Sequence, residues 1–294
     1  MLEWIDQADA EDSQKVTVPS PATAPRASRF RHASRPLLSR RYVLLEEIGR
    51  GGVGIVYLAW DLVLHQAVAI KTLRPSETDS KQRIDGLKKE AALQMRLAHD
   101  GIVRLFHFEP SESSVGAYLI MEYVSWTPGD RWIAEAGPGG LPPAAVLTVG
   151  VKLCDALACA HDAGVLHLDV KPSNIFIDSS GERTKLADFG IATVLGPRQQ
   201  GALVTNLMGT PAYMAPEQKV RGEKIGPRTD VYLLAATLWE CITGEKPGDG
   251  SRSVPRDPTT AAALAVLLQA LAPTPDQRPA DMRMFGSLLS GARC

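Results

Sequence analysis

Two short polar motifs constrain this chain of 294 residues more than any other feature. The first is His167-Leu168-Asp169-Val170-Lys171-Pro172-Ser173-Asn174, and the second, Asp188-Phe189-Gly190, begins fourteen residues after Asn174. Together they supply a carboxylate that can orient an attacking hydroxyl, a lysine that can neutralise a moving phosphoryl group, and oxygen ligands for Mg²⁺. Because magnesium keeps most of its shell for water and phosphate, Asn174 and Asp188 suffice as candidate ligands. The motifs therefore predict phosphoryl-transfer chemistry.

A glycine-rich segment upstream indicates the nucleotide half of such a site. Gly49, Gly51 and Gly54 have G-x-G-x-x-G spacing, which the loops of Rossmann dinucleotide-binding folds share. Here the glycines lie between two runs of β-forming residues, whereas a Rossmann glycine loop opens a helix. The pattern thus favours a hairpin tip. An apolar run that ends in Lys71 follows, and after a glycine hairpin we interpret this lysine as a phosphate ligand.

The order of these motifs, followed by G-T-P-A-Y-M-A-P-E at residues 209–217, resembles a eukaryotic-like (Hanks-type) serine/threonine protein kinase catalytic domain. The resemblance runs from Tyr42 to the C-terminus and, with the arginine-rich and alanine-rich composition, favours a bacterial source. It implies an α+β, two-lobed protein kinase-like fold. A small five-stranded antiparallel β lobe with one helix is expected, together with a larger, mainly helical lobe.

Composition and pattern divide the chain. Residues 1–40 are predicted to be a disordered tail, since they hold several prolines, little apolar periodicity and separate acidic and arginine-rich stretches. Residues 41–294 form the predicted kinase domain, with an N-lobe at about 41–124 and a C-lobe at about 125–294. Apolar periodicity predicts helices over residues 81–97, 142–163, 230–243 and 259–271.

Catalytic roles follow from the resemblance. Asp169 corresponds to the catalytic base, which accepts or orients the proton of the substrate hydroxyl. Lys171 is expected to neutralise charge on the transferred group, and Thr210 to hydrogen-bond both of these residues. Asn174 and Asp188 are the expected ligands of Mg²⁺, or of Mn²⁺.

The resemblance also implies an ATP site, in which Lys71 holds the α- and β-phosphates and Glu90 orients that lysine. Glu77 is the alternative partner, and a simple surface ion pair is the alternative role of Glu90. The backbone at Glu122 and Val124 is expected to bond adenine. The expected ATP-binding residues are Ile48, Gly49, Gly51, Gly54, Val56, Ala69, Lys71, Glu90, Met121, Glu122, Val124 and Phe176.

Three further positions match structural residues of the family. Glu217 corresponds to a glutamate that pairs with a buried arginine, for which Arg278 is the match. Asp230 corresponds to an aspartate that bonds the backbone of the catalytic loop, which here is residues 167–174. These residues are expected to support the site without touching the substrate.

One position departs from the family, since Leu168 stands where an arginine commonly pairs with a phosphorylated activation loop. We therefore expect activity to depend only weakly on phosphorylation of Thr193 or Thr205. Lys185 and Arg198 are the cations that could replace the arginine.

Three functions are compatible with parts of this pattern. An active kinase that phosphorylates serine or threonine in proteins fits best, because every residue that the chemistry needs is present. A catalytically inactive pseudokinase that binds ATP as a scaffold is the first alternative. A small-molecule phosphotransferase of the aminoglycoside type is the second, but it lacks the segment at residues 209–217.

Composition limits the partners and the location. The formal net charge of -1 gives no sign of a nucleic-acid binder. The longest apolar runs fall short of the roughly 18 residues that a membrane span needs, no signal peptide is visible, and the four cysteines lack C-x-x-C spacing. We expect protein substrates with Ser/Thr acceptors, no membrane span and a cytoplasmic location. Autophosphorylation is a further possibility, with Ser34 in an Arg-x-x-Ser pattern.

Overall fold

The computed structural model describes residues 37–50, 54–73, 88, 91–109, 117–137, 139–189, 202–203, 209–246 and 257–293. These residues form two compact units. The first ends at Ala91 and includes Arg104–Ser125, whereas the second comprises Ala92–Val103 and the chain from Trp126 onward. The sequence-based lobe boundary assigns residues 92–103 to the first lobe. They group with the second unit because the Val103 N–H donates to the Leu186 carbonyl and the Leu186 N–H to the Gly101 carbonyl.

The first unit is built on an antiparallel sheet of six strands in the order β1-β2-β3-β4-β6-β5. The strands are β1 (Leu37–Leu38), β2 (Tyr42–Arg50), β3 (Gly54–Asp61), β4 (Gln66–Leu73), β5 (Leu105–Glu109) and β6 (Tyr118–Glu122). Alternate residues of the strands bury one face in an apolar cluster. The members of this cluster are Leu38, Tyr42, Leu44, Ala59, Val68, Ile70, Tyr118 and Ile120.

The sheet has one strand more than the five predicted, because β1 pairs with the start of β2. Leu38 is buried in the apolar cluster, and the Ser39 hydroxyl lies 2.5 Å from the Tyr118 hydroxyl. The assignment of residues 37–40 to a disordered tail is therefore wrong. A strand of two residues has no periodicity from which it could be predicted.

The second unit is mainly helical. Its helices are α1 (Gly129–Ala136), α2 (Pro143–Asp162), α3 (Pro227–Thr243), α4 (Pro258–Ala270) and α5 (Met282–Gly291). Its short strands are β7 (Thr127–Pro128), β8 (Ile175–Ile177), β9 (Thr184–Leu186), β10 (Ala202–Leu203) and β11 (Lys224–Ile225). Single turns of 3₁₀ helix occupy Pro172–Asn174, Pro216–Lys219 and Pro275–Gln277.

The core of this unit forms around α2 and α3, whose inner residues are almost all apolar and fully buried. Proline near the first position of each helix suits its start, because the missing N–H would have no intrahelical partner. After α2, Gly164 adopts φ +77°, which glycine tolerates best. The predicted helices at 142–163, 230–243 and 259–271 thus correspond to α2, α3 and α4. Of the helix predicted over 81–97, Lys88 and residues 91–94 are helical, and residues 74–87, 89 and 90 lie outside the described part.

Within the described residues, one helix has the length and hydropathy of a membrane span. This helix is α2, and 56% of its apolar window is buried inside the structure. A buried core helix satisfies the same criterion as a membrane span, so this observation is weak evidence for membrane insertion.

Candidate active site

A closed set of hydrogen bonds joins the three predicted catalytic residues. The Lys171 ammonium donates to Asp169 Oδ2 at 2.7 Å and to the Thr210 hydroxyl at 2.8 Å. Asp169 Oδ1 accepts from the Thr210 N–H and from its hydroxyl, both at 2.9 Å. The contacts expected of Thr210 are therefore present, although it lies about forty residues along the chain from the other two. A partly exposed carboxylate is held here by fixed donors, as a base that must orient a hydroxyl requires.

The backbone before Asp169 is held by a buried carboxylate from α3. Asp230 Oδ1 accepts from the Leu168 N–H at 2.8 Å, and Oδ2 accepts from the His167 N–H at 2.9 Å. The His161 ring adds a third donor at 2.8 Å. Burial alone would raise the pKa of Asp230, but the hydrogen bonds from the two histidines outweigh it and keep the pKa below its ordinary value. Asp230 therefore stays ionised and bonds the catalytic loop, as expected from the sequence.

His167 links the two polar motifs. Its Nε2 lies 2.9 Å from the Ala187 carbonyl and so donates, while its Nδ1 accepts from the Asp169 N–H at 3.2 Å. Burial lowers the pKa of His167, although nearby Asp230 opposes that effect. The ring also packs against Phe189, with centroids 4.6 Å apart. A neutral imidazole thus fixes the loop at Asp169 against the segment that leads to Asp188.

The hairpin of β8 and β9 brings the two candidate metal ligands to one end. Ile175 pairs with Leu186, and the Ala187 N–H donates to the Asn174 carbonyl at 2.8 Å. Asn174 therefore directly precedes β8, and Asp188 follows β9 after one intervening residue. The Asn174 amide donates to the Asp169 carbonyl at 2.9 Å, which leaves Asn174 Oδ1 as the atom for a cation. One amide oxygen and one carboxylate suit Mg²⁺ that takes its other ligands from water and phosphates. Phe176 lies on β8 and is half-buried.

The segment from Gly209 to Glu217 is held in place by a buried ion pair. Arg278 donates to the two carboxylate oxygens of Glu217 at 2.7 and 2.8 Å, and the Thr229 hydroxyl donates to Glu217 Oε1 at 2.9 Å. The remaining guanidinium N–H groups bond backbone carbonyls, and the guanidinium lies over the Tyr232 ring. A charged pair buried this deeply is tolerated because its donors and acceptors are satisfied. The pair predicted from the sequence is present.

In the first unit, the strand register places four candidate ATP-binding residues on one face of the sheet. Val56 pairs with Lys71 across β3 and β4, and Ala69 pairs with Met121 across β4 and β6. Directly paired residues of neighbouring strands share a face, and Ala69 and Lys71 are two residues apart, so all four share it. This is the face opposite the apolar cluster. Ile48, near the end of β2, is 45% exposed.

Two glycines of the hairpin have different reasons for lacking a side chain. A Cβ on Gly54 would lie only 1.7 Å from the Thr72 carbonyl oxygen, so glycine is required there by the neighbouring strand. A Cβ on Gly49 would meet only Val56, at an ordinary 3.7 Å. Nothing among the described residues therefore requires glycine at Gly49, and close approach of a phosphate there stays a prediction from the family resemblance. The sequence pattern treats these two glycines as equivalent, but the structure does not.

Comparison with known proteins agrees with this geometry. The family model described as "Protein kinase domain" matches residues 42–284. The chain belongs to this family. The predicted recognition and the predicted kinase-like α+β fold are confirmed. Serine/threonine-protein kinase PknB from Mycobacterium leprae is 35% identical over 269 residues, which cover 84% of this chain and 43% of that protein. Serine/threonine-protein kinase pkn2 from Myxococcus xanthus is 35% identical over 244 residues, covering 81% and 28%.

A solved structure gives the same result for the fold. The crystal structure of the Mycobacterium tuberculosis PknI kinase domain matches with a TM-score of 0.69 and 27% identity, over 89% of this chain and 100% of that one. The chain spans less than half the length of the curated relatives named above. The similarity therefore concerns the kinase domain of those larger proteins.

The roles of several residues of the kinase domain remain predictions, because the structure does not describe these residues. Gly51, Glu90, Thr193, Thr205 and Arg198 lie outside the described residues. At the expected hinge, the Glu122 N–H donates to the Arg104 carbonyl at 2.8 Å, and Val124 lies beyond the end of β6. The contacts of the Glu122 and Val124 backbone with adenine stay predictions.

Two kinase-domain residues that the sequence reasoning did not single out support the catalytic loop, Gln218 directly and His161 through Asp230. His161 bonds Asp230, and Gln218 donates to the Leu168 carbonyl. Gln218 directly follows the A-P-E motif, which is the only sequence signal that could have drawn attention to it. His161 has no signal of its own, because its partner lies sixty-nine residues away.

Proposed function

We propose that this kinase domain transfers the γ-phosphoryl group of ATP to serine or threonine hydroxyls of proteins. The observation that carries the proposal is the closed contact set of Asp169, Lys171 and Thr210. Thr210 belongs to the segment that, in the family, supports a peptide substrate. A carboxylate with its lysine and with this threonine indicates a protein hydroxyl as the acceptor.

Each residue has a distinct role in this proposal. Asp169 orients the acceptor hydroxyl and takes its proton, and Lys171 neutralises charge on the transferred group. Lys71 holds the α- and β-phosphates. Asn174 and Asp188 would hold Mg²⁺ or Mn²⁺, which when bound offsets the charge of the phosphates.

The wider assignments are also proposals. We infer an enzyme of the non-specific serine/threonine protein kinase class, with protein substrates, autophosphorylation as a further reaction and no nucleic-acid partner. A cytoplasmic location and the absence of a membrane span are inferred from the composition. The fully assembled Asp169 contact set argues against a pseudokinase, and the segment at residues 209–217 argues against an aminoglycoside-type phosphotransferase.

One incubation tests the proposal. The protein is mixed with Mg²⁺ and labelled ATP, alone, with a generic basic protein, and with an aminoglycoside. Label on serine and threonine of the protein, dependent on Mg²⁺, is the expected result. Label on the aminoglycoside alone would support the small-molecule alternative. ATP binding without any transfer would indicate a pseudokinase.

A further inference from the structure

Leu168, the residue before the proposed catalytic base, has a strained backbone. Its φ is +63°, a region that L-residues with large side chains rarely occupy. Its side chain is buried against Leu166 and Ile225. Such a conformation persists only when the surrounding contacts determine it. The contacts of the Leu168 backbone therefore decide where Asp169 lies.

Both polar groups of Leu168 are bonded by buried side chains from two different segments. Asp230 accepts its N–H at 2.8 Å, and the Gln218 amide donates to its carbonyl at 2.9 Å. Gln218 is 3% exposed, and its own Oε1 accepts from the Ala215 N–H at 3.0 Å. The Gln218 carboxamide thus donates to the catalytic loop and accepts from residues 209–217, which we call the substrate-supporting segment.

The same carbonyl is approached from a second direction. Gly209 has φ +109°, and a Cβ added to it would lie 3.0 Å from the Leu168 oxygen and 3.6 Å from Gln218 Nε2. Gly209 begins the substrate-supporting segment and Gln218 directly follows it, and both therefore lie next to one carbonyl oxygen of the catalytic loop.

We propose that Gln218 is a positioning residue, which transmits the conformation of residues 209–218 to Asp169 through the Leu168 carbonyl. When that segment is in place, the Gln218 amide fixes the peptide bond between Leu168 and Asp169 by donating to the Leu168 carbonyl. When it is displaced, the carbonyl loses its donor and Asp169 loses its orientation towards the acceptor hydroxyl. This inference rests on the proposed kinase activity and concerns the acceptor side of the reaction.

Two substitutions of Gln218 test its donor. Gln218→Met removes the carboxamide, and Gln218→Glu keeps the acceptor for Ala215 but replaces the donor with a carboxylate oxygen. We expect both to lower kcat tenfold or more, within the roughly 10–100-fold range that misplacement of a reacting group can cost. The KM for ATP should stay within about twofold, because the change is on the acceptor side.

The pH dependence separates positioning from a general loss of structure. A buried glutamic acid has a raised pKa, and its protonated form regains an O–H donor for the Leu168 carbonyl. The activity of Gln218→Glu relative to wild type should therefore rise between about pH 8 and about pH 6, whereas that of Gln218→Met should not. Asp169, Asp230 and His167 lie on or against the same loop in all proteins compared, so each variant's activity is divided by that of wild type at the same pH. Gln269→Glu, at an exposed position of α4, is the matched control and should follow wild type.

The results that would overturn the inference are distinct from those that would overturn the kinase activity. A wild-type protein without transfer contradicts the proposed function itself. If wild type is active, two results contradict the role of Gln218. One is a kcat of both variants within about twofold of wild type. The other is a relative activity of Gln218→Glu that changes with pH in the same way as that of Gln218→Met. If neither variant folds, Gly209→Ala tests the same carbonyl from the other side. It should lower kcat with an unchanged KM for ATP, and a wild-type kcat would overturn the inference.

Discussion

At the scale of single residues, Asp169 is nearly saturated with hydrogen bonds. Oδ1 already accepts two donors from Thr210, and Oδ2 accepts from Lys171. The Asn174 amide also donates to Oδ2, at a longer 3.5 Å. An acceptor hydroxyl therefore has to bond Oδ2, which holds one short and one long hydrogen bond. The rest of the carboxylate serves to fix its direction.

The first prediction concerns that carboxylate. Asp169→Asn should lower kcat by roughly 10²–10⁴-fold, the usual contribution of a general base, because the amide cannot accept the hydroxyl proton. The Kd for ATP should change little, since the residue acts on the acceptor. Asp155→Asn, at an exposed position of α2, makes the same chemical change and should be fully active. Full activity of Asp169→Asn would refute the mechanism.

The second prediction concerns Leu168, whose burial in an apolar cluster leaves no cation at that position for a phosphate. Thr193→Ala and Thr205→Ala, singly and together, should lower the initial rate by less than about threefold, which is roughly 0.7 kcal/mol in barrier. Thr210→Ala is the contrasting control and should lose most activity, because its hydroxyl bridges Lys171 and Asp169. A hundredfold loss in the double variant would show that another cation, such as Lys185 or Arg198, forms an ion pair with the phosphothreonine.

At the scale of elements, the glycine hairpin allows a third prediction, because its two described glycines differ in surroundings. Gly54→Ala forces a Cβ into the Thr72 carbonyl and should lower the free energy of unfolding by about 1–3 kcal/mol or more. Gly49→Ala has room within the sheet and should keep the melting temperature. Its KM for ATP should rise about tenfold, equal to ~1.4 kcal/mol of binding.

The two variants serve as controls for each other. An unchanged KM in Gly49→Ala would remove the support for close approach of a phosphate there. An unchanged melting temperature in Gly54→Ala would contradict the tight packing of β3 on β4.

The strands around the glycine hairpin and helices α2 to α4 could be predicted, because residue type and apolar periodicity are local signals. The pairing of Glu217 with Arg278 joins residues sixty-one apart and was expected only from the family resemblance. The register that puts Val56, Ala69, Lys71 and Met121 on one face could not be predicted, because it depends on pairing between distant strands. Gln218 was missed for the same reason, since its partner Leu168 lies fifty residues away.

At the scale of the whole molecule, the sequence predicted the wrong start of the folded part, at residue 41, whereas strand β1 begins at Leu37. Proline and charge in the first forty residues indicate a tail, but they cannot show that Leu38 fills a place in the sheet. Arg41 adds hydrogen bonds to the buried Asp61, whose side chain also accepts the N–H groups of Val63 and Leu64.

The fourth prediction follows from this boundary. Deletion of residues 1–36 should leave the melting temperature within error. Deletion of residues 1–41 should lower the free energy of unfolding by about 1.5–3 kcal/mol for the lost burial of Leu38. Thermal and urea unfolding of the two truncated proteins measure the difference. Equal stability of the two would mean that β1 contributes nothing, and a large loss on the shorter deletion would mean that the tail docks on the folded part.

The buried carboxylate of Asp230 has a consequence for amide hydrogen exchange. The N–H groups of His167 and Leu168 lie outside any helix or strand, yet both donate to an acceptor that is fully buried at the start of α3. Exchange at these amides requires an opening that also releases α3. They should therefore exchange as slowly as the core amides of that helix, and far more slowly than the Glu182 amide in the exposed turn between β8 and β9. Rapid exchange at His167 and Leu168 would show that the catalytic loop opens independently of the core.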